Sequence, residues 1–565
     1  MGSPISIVGW SSSDKVPGVG GETLFGTGPA SASSIPLTHL VVGTKLTAGS
    51  ATPNNDVLTI LSQDDADAKL GAGSEAALMC YAALKANPND TLYCAPVAEA
   101  AGAVAATQAI TFSGTWTTAG SWFVRLNGIV YSGGVAGTDT FTTLAAAVAA
   151  AINADVRSAF TAVATAGQVV VSVKSKGVRG NAYECFQDTS KLPSGCISSI
   201  SGPVWVTLQV DALTTYITPT VANGFYYKCT VAGTGGASQP IWPVTVGTTV
   251  ADGTTTWTCW GQVLTGGLTS FGGGAGTETN TALLAVLQPS EFARISSAEN
   301  DSSNLAAWRT QLDSQAGPTS NLLQHFIFAV NGTLVAAEAL AQTTLNHPRF
   351  QCLWQLNGET SPSQVAAGFG ALRCATEQTD PDASYDDAIL VGVAPQSQRA
   401  DWPSHATLLS ALNNSITPIY TSLDGYAKVC RSIQTRSLNG STPDYRVYDS
   451  SDATTPDFVR RDLSLKWATV FRPSNPRVSD NPSDITKAPP SGVATPYTWN
   501  NYVTSQLRGY ERGDGFPNAI IIAVDQNLPS SAYDPVGKRI MTAVPVVAAP
   551  NQHQIGISVR QTSQP

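Results

Sequence analysis

The chain has 565 residues, a net charge of −9 and 13% charged side chains, about half the share usual in soluble proteins. That length exceeds one core and calls for three or four domains, the scattered Lys and Arg exclude a nucleic-acid-binding face, and no run approaches the roughly 20 apolar residues of a membrane helix. The nine Cys are odd in number and include no Cys-x-x-Cys pair, which argues against a disulfide scaffold or zinc site and for a reducing compartment.

The chain opens on Ile5-Ser-Ile-Val8, a short strand-like run. Its first residues hold neither a basic segment nor a long apolar one, so no signal peptide is expected. From Val16 to Ser31 the chain is too rich in Gly and Pro for a helix or regular strand. With Val16, Val19, Leu24 and Phe25 it is also too apolar for an ordinary disordered tail. An extended, semi-apolar arm over residues 1–35 needs something to lie against, and another copy of the chain is the expected partner. The sparse charge fits, since interface centres are depleted in Lys, Glu and Asp.

Residues 36–103 read as α/β. Leu40-Val-Val42 centres a strand, and Asp64-Asp-Ala-Asp67 opens a short helix whose acidic side chains suit the dipole. Residues 74–85 form a helix stopped at Asn87-Pro88, and 92–97 the next strand. An Ala/Gly linker leads into an inserted β-rich domain, 104–202, with strands over 109–113, 122–131 and 169–173 and a helix over 144–154. Residues 203–265 then hold Trp205, Trp242, Trp257 and Trp260, four of the twelve Trp. So short a unit has little core, and its large aromatics are expected to supply it. The alternative is an exposed aromatic platform for a glycan or cell surface. A Cys229–Cys259 disulfide is compatible with this stretch and not required by it. A glycine-rich linker over 266–276 returns to the main body.

Helices over 281–287, 304–316, 334–345, 363–376 and 404–413 then alternate with strands over 292–296, 326–330, 352–354 and 388–393. The alternation predicts βαβ units and a parallel sheet covered on both faces, so 36–103 and 266–475 form one α/β body. A helix over 456–470 follows, then a loop over 473–497 with six Pro, a helix over 499–510, and strands over 519–524, 540–547 and 555–559. Residues 476–565 make a C-terminal domain that ends in a strand arm alternating Ile555, Ile557 and Val559.

No catalytic, cofactor or metal site is expected. A Ser nucleophile needs a His base oriented by an acid, and only five His are present. His325 flanks a strand and reads as a core residue, His347 precedes Pro348 at a helix end, His405 follows Ser404 at a helix cap, and His39 and His553 belong to the terminal segments. The sequence has no Gly-x-Ser-x-Gly elbow, no phosphate-binding Gly-x-x-x-x-Gly-Lys-[Ser/Thr] and no His-Glu-x-x-His. The acidic cluster Asp380-Pro-Asp-Ala-Ser-Tyr-Asp-Asp387 lacks the Gly and terminal Glu of an EF-hand loop and reads as an Asx-capped turn.

Several segments resemble tail sheath proteins of contractile-tailed bacteriophages, in the Mu-like branch. They are Val16-Pro-Gly-Val19, Glu22-Thr-Leu-Phe-Gly-Thr-Gly-Pro-Ala-Ser31, Pro36-Leu-Thr-His-Leu-Val-Val-Gly43, Asp64-Asp-Ala-Asp67, Gly71-Ala-Gly-Ser-Glu75, Leu92-Tyr-Cys-Ala-Pro-Val97 and Pro545-Val-Val-Ala-Ala-Pro550. Their order carries the resemblance, which spans most of the chain except about 203–265. It implies an α/β subtilisin-like, non-catalytic body with the β-rich domain and aromatic β-module inserted. It implies N- and C-terminal arms that interlace with neighbours, with Ile5, Ile7, Val8, Val16 and Val19 at one end and Ile555, Ile557 and Val559 at the other as donated strands. Further expectations are stacked hexameric rings around a tail tube, a tube-facing helix in the C-terminal domain, and baseplate and tail terminator partners. The same resemblance implies no cofactor, no direct nucleic-acid contact and no membrane insertion, in a virion tail assembled in the host cytoplasm. The alternatives are a hydrolase carrying a substrate-binding aromatic module, the sheath of a phage-tail-like injection particle, and a non-contractile surface protein.

Overall fold

Strand β1 (Thr38–Thr44) is apolar at its centre and buried there on both faces, as a strand inside a covered parallel sheet must be. It belongs to a computed structural model that describes residues 37–553 apart from 202–204, 212–215, 221–222, 224, 263–266, 289, 318–319, 445 and 482–488. The arm residues Ile5, Ile7, Val8, Val16, Val19, Ile555, Ile557 and Val559 lie outside the described residues. After β1 come a short edge strand β2 (Leu58–Thr59), helices α1 (Gln63–Leu70) and α2 (Glu75–Ala86), and strand β3 (Thr91–Val97). Ser62 and Ser74 cap the two helices by accepting from Asp65 N and Ala77 N.

The chain then leaves the body for an inserted domain of two four-stranded sheets. Its elements are β4 (Thr107–Gly114), β5 (Gly120–Leu126), β6 (Ile129–Val135), α3 (Phe141–Ala154), β7 (Phe160–Thr165), β8 (Gln168–Val173), β9 (Glu184–Asp188) and β10 (Cys196–Ser201). The single strand expected over 122–131 is instead the antiparallel hairpin β5–β6, because Asn127 and Gly128 both take positive φ (51° and 76°), the two-residue turn that matches strand twist.

The aromatic module follows with β11 (Val210–Asp211), β12 (Tyr216–Ile217), β13 (Phe225–Val231), β14 (Gly233–Thr234), β15 (Thr249–Asp252) and β16 (Thr255–Gln262). Trp257, Tyr227, Ile217, Cys229 and Cys259 form its core, with Trp205 and Trp242 packed against them. Cys229 sits opposite Trp257 and Cys259 opposite Tyr227, and both thiols are free. The glycine-rich linker is in part a strand, β17 (Gly267–Ser270), antiparallel to β9, and Thr107 and Val104 bridge to Gly272 and Ala275. The chain thus returns through the inserted domain's own sheet.

The body resumes with α4 (Thr281–Leu287), β18 (Arg294–Ser297), α5 (Ser302–Gln315), β19 (His325–Asn331), α6 (Leu334–Glu338), β20 (Phe350–Gln355), α7 (Pro362–Glu377), α8 (His405–Asn413), β21 (Thr417–Thr421) and β22 (Ala427–Val429). The sheet order is β2-β3-β1-β18-β19-β20-β21-β22, with six central parallel strands and antiparallel strands at both edges. Alternate side chains divide between two cores. Leu40, Val42, Phe326, Phe328, Phe350 and Trp354 meet α4, α5, α6 and α8, while Val41, Ile327, Ala329 and Leu353 meet α1, α2 and α7. Residues 388–393 are not the strand expected there. Only Ile389 makes a bridge, and the strand beside β20 is β21, which contains Pro418; an internal Pro masks a strand in sequence.

Helix α9 (Ser450–Lys466) starts six residues earlier than expected, at an Asp449/Asp452 capping box, and carries Pro456 inside it. The chain continues through a wide turn and α10 (Arg472–Ser474) to α11 (Pro496–Arg512). Of the strand expected over 519–524 only Ile521–Ile522 is extended, and that over 540–547 breaks into Arg539–Ala543 and Val547–Ala548. The chain is a mixed α/β protein of several sheets.

Candidate functional site

Open parallel sheets bind ligands at the carboxyl ends of their strands, where the strand order reverses. Here that point lies between β1 and β18, since the chain goes from β1 to β3 on one side and then to β18 on the other. The crevice is filled from within. Arg179, on a turn of the inserted domain, donates to Glu75 through Nε (2.9 Å) and Nη2 (2.6 Å) at the start of α2, and pairs with Glu278 through Nη1. Glu75 also accepts from Thr44 N (3.1 Å) and Oγ1 (2.9 Å) at the end of β1. Burial pushes the Glu75 carboxyl up, but Arg179 outweighs it and holds the group below its ordinary value. Farther along the same edge, Arg125 pairs with Glu359 (2.7 Å), and Asn127 Oδ1 accepts from Ser361 N (2.7 Å). Glu184, at the same seam, is pushed up to about 8 by burial, with Asp401 and Glu359 adding to the shift.

Nearer the amino ends of the strands, the fold assembles a constellation that sequence reasoning missed. His39 Nδ1 lies 2.7 Å from Asp90 Oδ2, and His39 Nε2 lies 2.9 Å from Ser296 Oγ. These are the connections of a Ser–His–Asp triad, drawn from β1, the loop before β3, and β18. His39 and Ser296 are completely buried. Ser296 Oγ also lies 3.0 Å from the Ala366 carbonyl of α7, so its one proton has two acceptors. A Cβ on Gly370 would stand 2.7 Å from His39 Nε2, so α7 closes directly over the group. A nucleophile must reach a carbonyl carbon; this one is sealed, and the relay ties β1, β18 and the loop before β3 to a helix.

The other histidines are also accounted for. His325 Nε2 faces Asp457 Oδ2 at 3.1 Å, and burial, with the Arg294 charge, pushes the imidazole down to about 3. Asp457 takes a bidentate pair from Arg349 (2.6 and 2.7 Å). His347 faces Asp313 at 2.8 Å and is held below its ordinary value by burial. His405 is exposed in the first turn of α8. In the acidic cluster, Asp380 accepts from Asp382 N, Asp382 from Thr455, Asp387 from Tyr420, and Asp386 faces His553. No group of three metal-ligating side chains occurs among the described residues.

A groove of about 1160 Å³ is open in the C-terminal region. Its walls are α9 and the turn beyond it (Val459, Leu463, Trp467, Phe471), Trp499 of α11, and the hairpin Ser530–Asp534/Arg539–Ala543 with Val544 and Val546. Arg460, Arg472, Arg477, Lys538 and Arg539 line it against one carboxylate, Asp457. Trp499 Nε1 donates to Thr542 Oγ1 (2.9 Å) and seats the hairpin on α11. The hairpin is a separate two-stranded sheet, and neither outer edge has a partner strand among the described residues.

Of the aromatics singled out in the module, Trp205 and Trp257 both donate through Nε1 to Asp252 Oδ2 (2.6 and 3.2 Å), and Trp242 stands edge-on to Trp257 with centroids 6.2 Å apart. Trp260 alone is turned outward, 44% exposed, with Lys228 Nζ 4.1 Å from its ring centroid.

No protein-family profile and no curated protein matches the chain. Among solved structures it is similar to a sheath tail protein from Desulfitobacterium hafniense, at 13% identity and a TM-score of 0.40, over 94% of this chain and 100% of the other. It is similar to a sheath tail protein from Listeria innocua at 11% identity and a TM-score of 0.43, over 92% and 94%. A third likeness is to the contracted helical sheath of the anti-feeding prophage, at 13% identity and a TM-score of 0.33, over 50% of this chain and 75% of the other. At these TM-scores the likenesses transfer no residue roles, and the functional reading rests on the chain's own residues.

Proposed function

We propose that the chain is a structural subunit of a contractile tail sheath, polymerising as a helix of stacked rings around a tail tube. The observation that carries this reading is the hairpin whose two edges have no partner strand among the described residues, beside a large groove lined by apolar and basic side chains, in a protein whose ligand crevice is plugged by its own Arg179. A two-stranded sheet is marginal alone, and a further strand laid along it adds main-chain hydrogen bonds with side-chain pockets for register. The terminal segments bearing Ile5, Ile7 and Val8, and Ile555, Ile557 and Val559, are the strands proposed to be donated by neighbouring copies. The ordered series of sheath-like motifs in the sequence supports the same assignment.

In this reading the subunits turn as near-rigid bodies during contraction, tied by their arms, and the difference in contacts between the two states drives the tube through the cell envelope. Head-to-tail contacts of this kind do not close and so generate filaments. The tube protein, baseplate and terminator proteins are the proposed partners, the hexameric ring the proposed repeat, and the virion tail the proposed location. The body acts without catalysis: the only triad geometry found among the described residues is sealed beneath α7. Negative-stain microscopy of the purified chain tests the reading. Tubes or stacked rings are expected, and deletion of residues 1–15 or 554–565 should abolish them while folding is retained. A strictly monomeric chain that hydrolyses an ester or peptide refutes it, and unimpaired tube formation by both deletions refutes the donated-arm mechanism.

A further inference from the structure

We propose that a small inorganic anion, of halide size, binds in a cavity beside the buried guanidinium of Arg294, where α9 meets the amino ends of β18 and β19. The cavity measures about 50 Å³. That is room for a few water-sized spheres, far below the roughly 300–1,000 Å³ of sites for organic ligands. Arg294 opens β18 and His325 opens β19, and both line it. Phe458 and Arg461 reach it from α9.

The charges around this cavity do not balance. Arg294 and Arg373 are 6% and 0% exposed, and they share one carboxylate, Glu377, itself 5% exposed. Glu377 Oε1 accepts from Arg373 Nε (2.6 Å) and Tyr385 Oη (3.1 Å), and Oε2 pairs with Arg294 Nη2. The other carboxylate lining the cavity, Asp457, is already taken by the bidentate Arg349. Three guanidinium groups thus face two carboxylates, and a buried charge is costly unless it is paired. His325 does not change the count, because burial and the Arg294 charge push its imidazole down to about 3 and leave it neutral near pH 7. Burial and the like charge of Arg373 pull Arg294 down as well, to about 9, which keeps it a cation at that pH.

A hydrogen-bond donor is left over at the same place. Arg294 Nη1 donates to the Ala293 carbonyl (2.6 Å), but the buried Nε has no hydrogen-bond partner. An anion accepting from Nε satisfies that donor and balances the excess charge in one contact. Arg461 adds a further guanidinium to the cavity from the side of α9, so the bound anion joins the parallel sheet to the helix that leads into the C-terminal region.

Urea unfolding of the full chain, dialysed into sodium gluconate and titrated with sodium chloride or bromide at constant ionic strength, tests the site. A ligand that binds only the folded state stabilises it by RT ln(1 + [L]/Kd), so the midpoint of the body's transition should rise with either halide. Arg294→Met removes the excess charge together with the donor, and its midpoint should be the same in halide and gluconate while its near-ultraviolet circular dichroism matches that of the unaltered chain. Arg461→Gln should need about threefold more chloride for the same rise, the worth of a partly exposed charge contact. A wild-type midpoint indifferent to the anion, or an equal rise in Arg294→Met, overturns the site. If Arg294→Met does not fold, an unchanged chloride response in Arg461→Gln overturns it. Neither result bears on the sheath reading, which microscopy tests separately.

Discussion

Replacing Arg179 with Met tests whether the inserted domain is locked into the crevice of the parallel sheet. Arg179, Glu75 and Glu278 have side chains 12%, 7% and 4% exposed. Met fills similar space but leaves two carboxylates facing each other without a cation. Removing one partner of a buried pair costs about 3–5 kcal/mol, because the remaining charge stays desolvated. The loss should appear in the first urea transition and in faster amide exchange at the start of α2 and in the turn 178–182. A single global unfolding energy is not defined for a chain of several domains. The pH dependence has a fixed sign. Glu75 is held below its ordinary value, so its contribution is full above about pH 4.5 and is lost as pH falls through the folded value. In the variant the carboxylates take up protons, and its deficit should shrink in acid. Arg179→Met combined with Glu75→Gln and Glu278→Gln should recover most of the loss, since no buried charge remains. A deficit under about 1 kcal/mol, or a triple variant no better than the single one, would show that the contact is a surface-like pair and not a lock.

Other outcomes follow from the same geometry. Gly370→Ala places a methyl 2.7 Å from His39 Nε2 and should destabilise the body by about 1–3 kcal/mol, read by thermal unfolding; Ser296→Ala should leave ester hydrolysis at the buffer rate, as in the unaltered chain. Trp257→Ala removes the largest core side chain of the aromatic module and should unfold that module alone, at about 3–5 kcal/mol, a loss of one calorimetric transition with the body's retained. Glu184, pushed up to about 8 by burial, keeps a proton that the unfolded chain gives up near pH 4.5. Its contribution is therefore full in acid and lost as pH rises toward about 8, and Glu184→Gln should flatten that slope in urea midpoints.

The body was legible because its signals are local. Unbroken apolar runs at Leu40–Val42 and Phe326–Val330, bounded by capped helices, state a parallel sheet covered on both faces without reference to distant residues. The Asn127-Gly128 turn was equally present in sequence, and the run 122–131 hid it because both flanking strands are apolar. Pro418 and Pro456 misled in the other direction. Each carries a residue-level bias against its element that the surrounding sheet or capping box overrides.

The sequence by itself determined composition, alternation and caps, and from them an α/β body interrupted by a β-rich domain and an aromatic module. Only the tertiary structure decided which polar groups meet. His39 and Ser296 are 257 positions apart, Arg179 and Glu75 104, and His553 and Asp386 167. Nothing in a local window encodes such pairs, because burial and sheet order bring them together only after the chain has closed its loops. For the same reason a triad geometry could form where no catalytic motif exists, and no sequence pattern specifies the depth at which it is buried beneath α7.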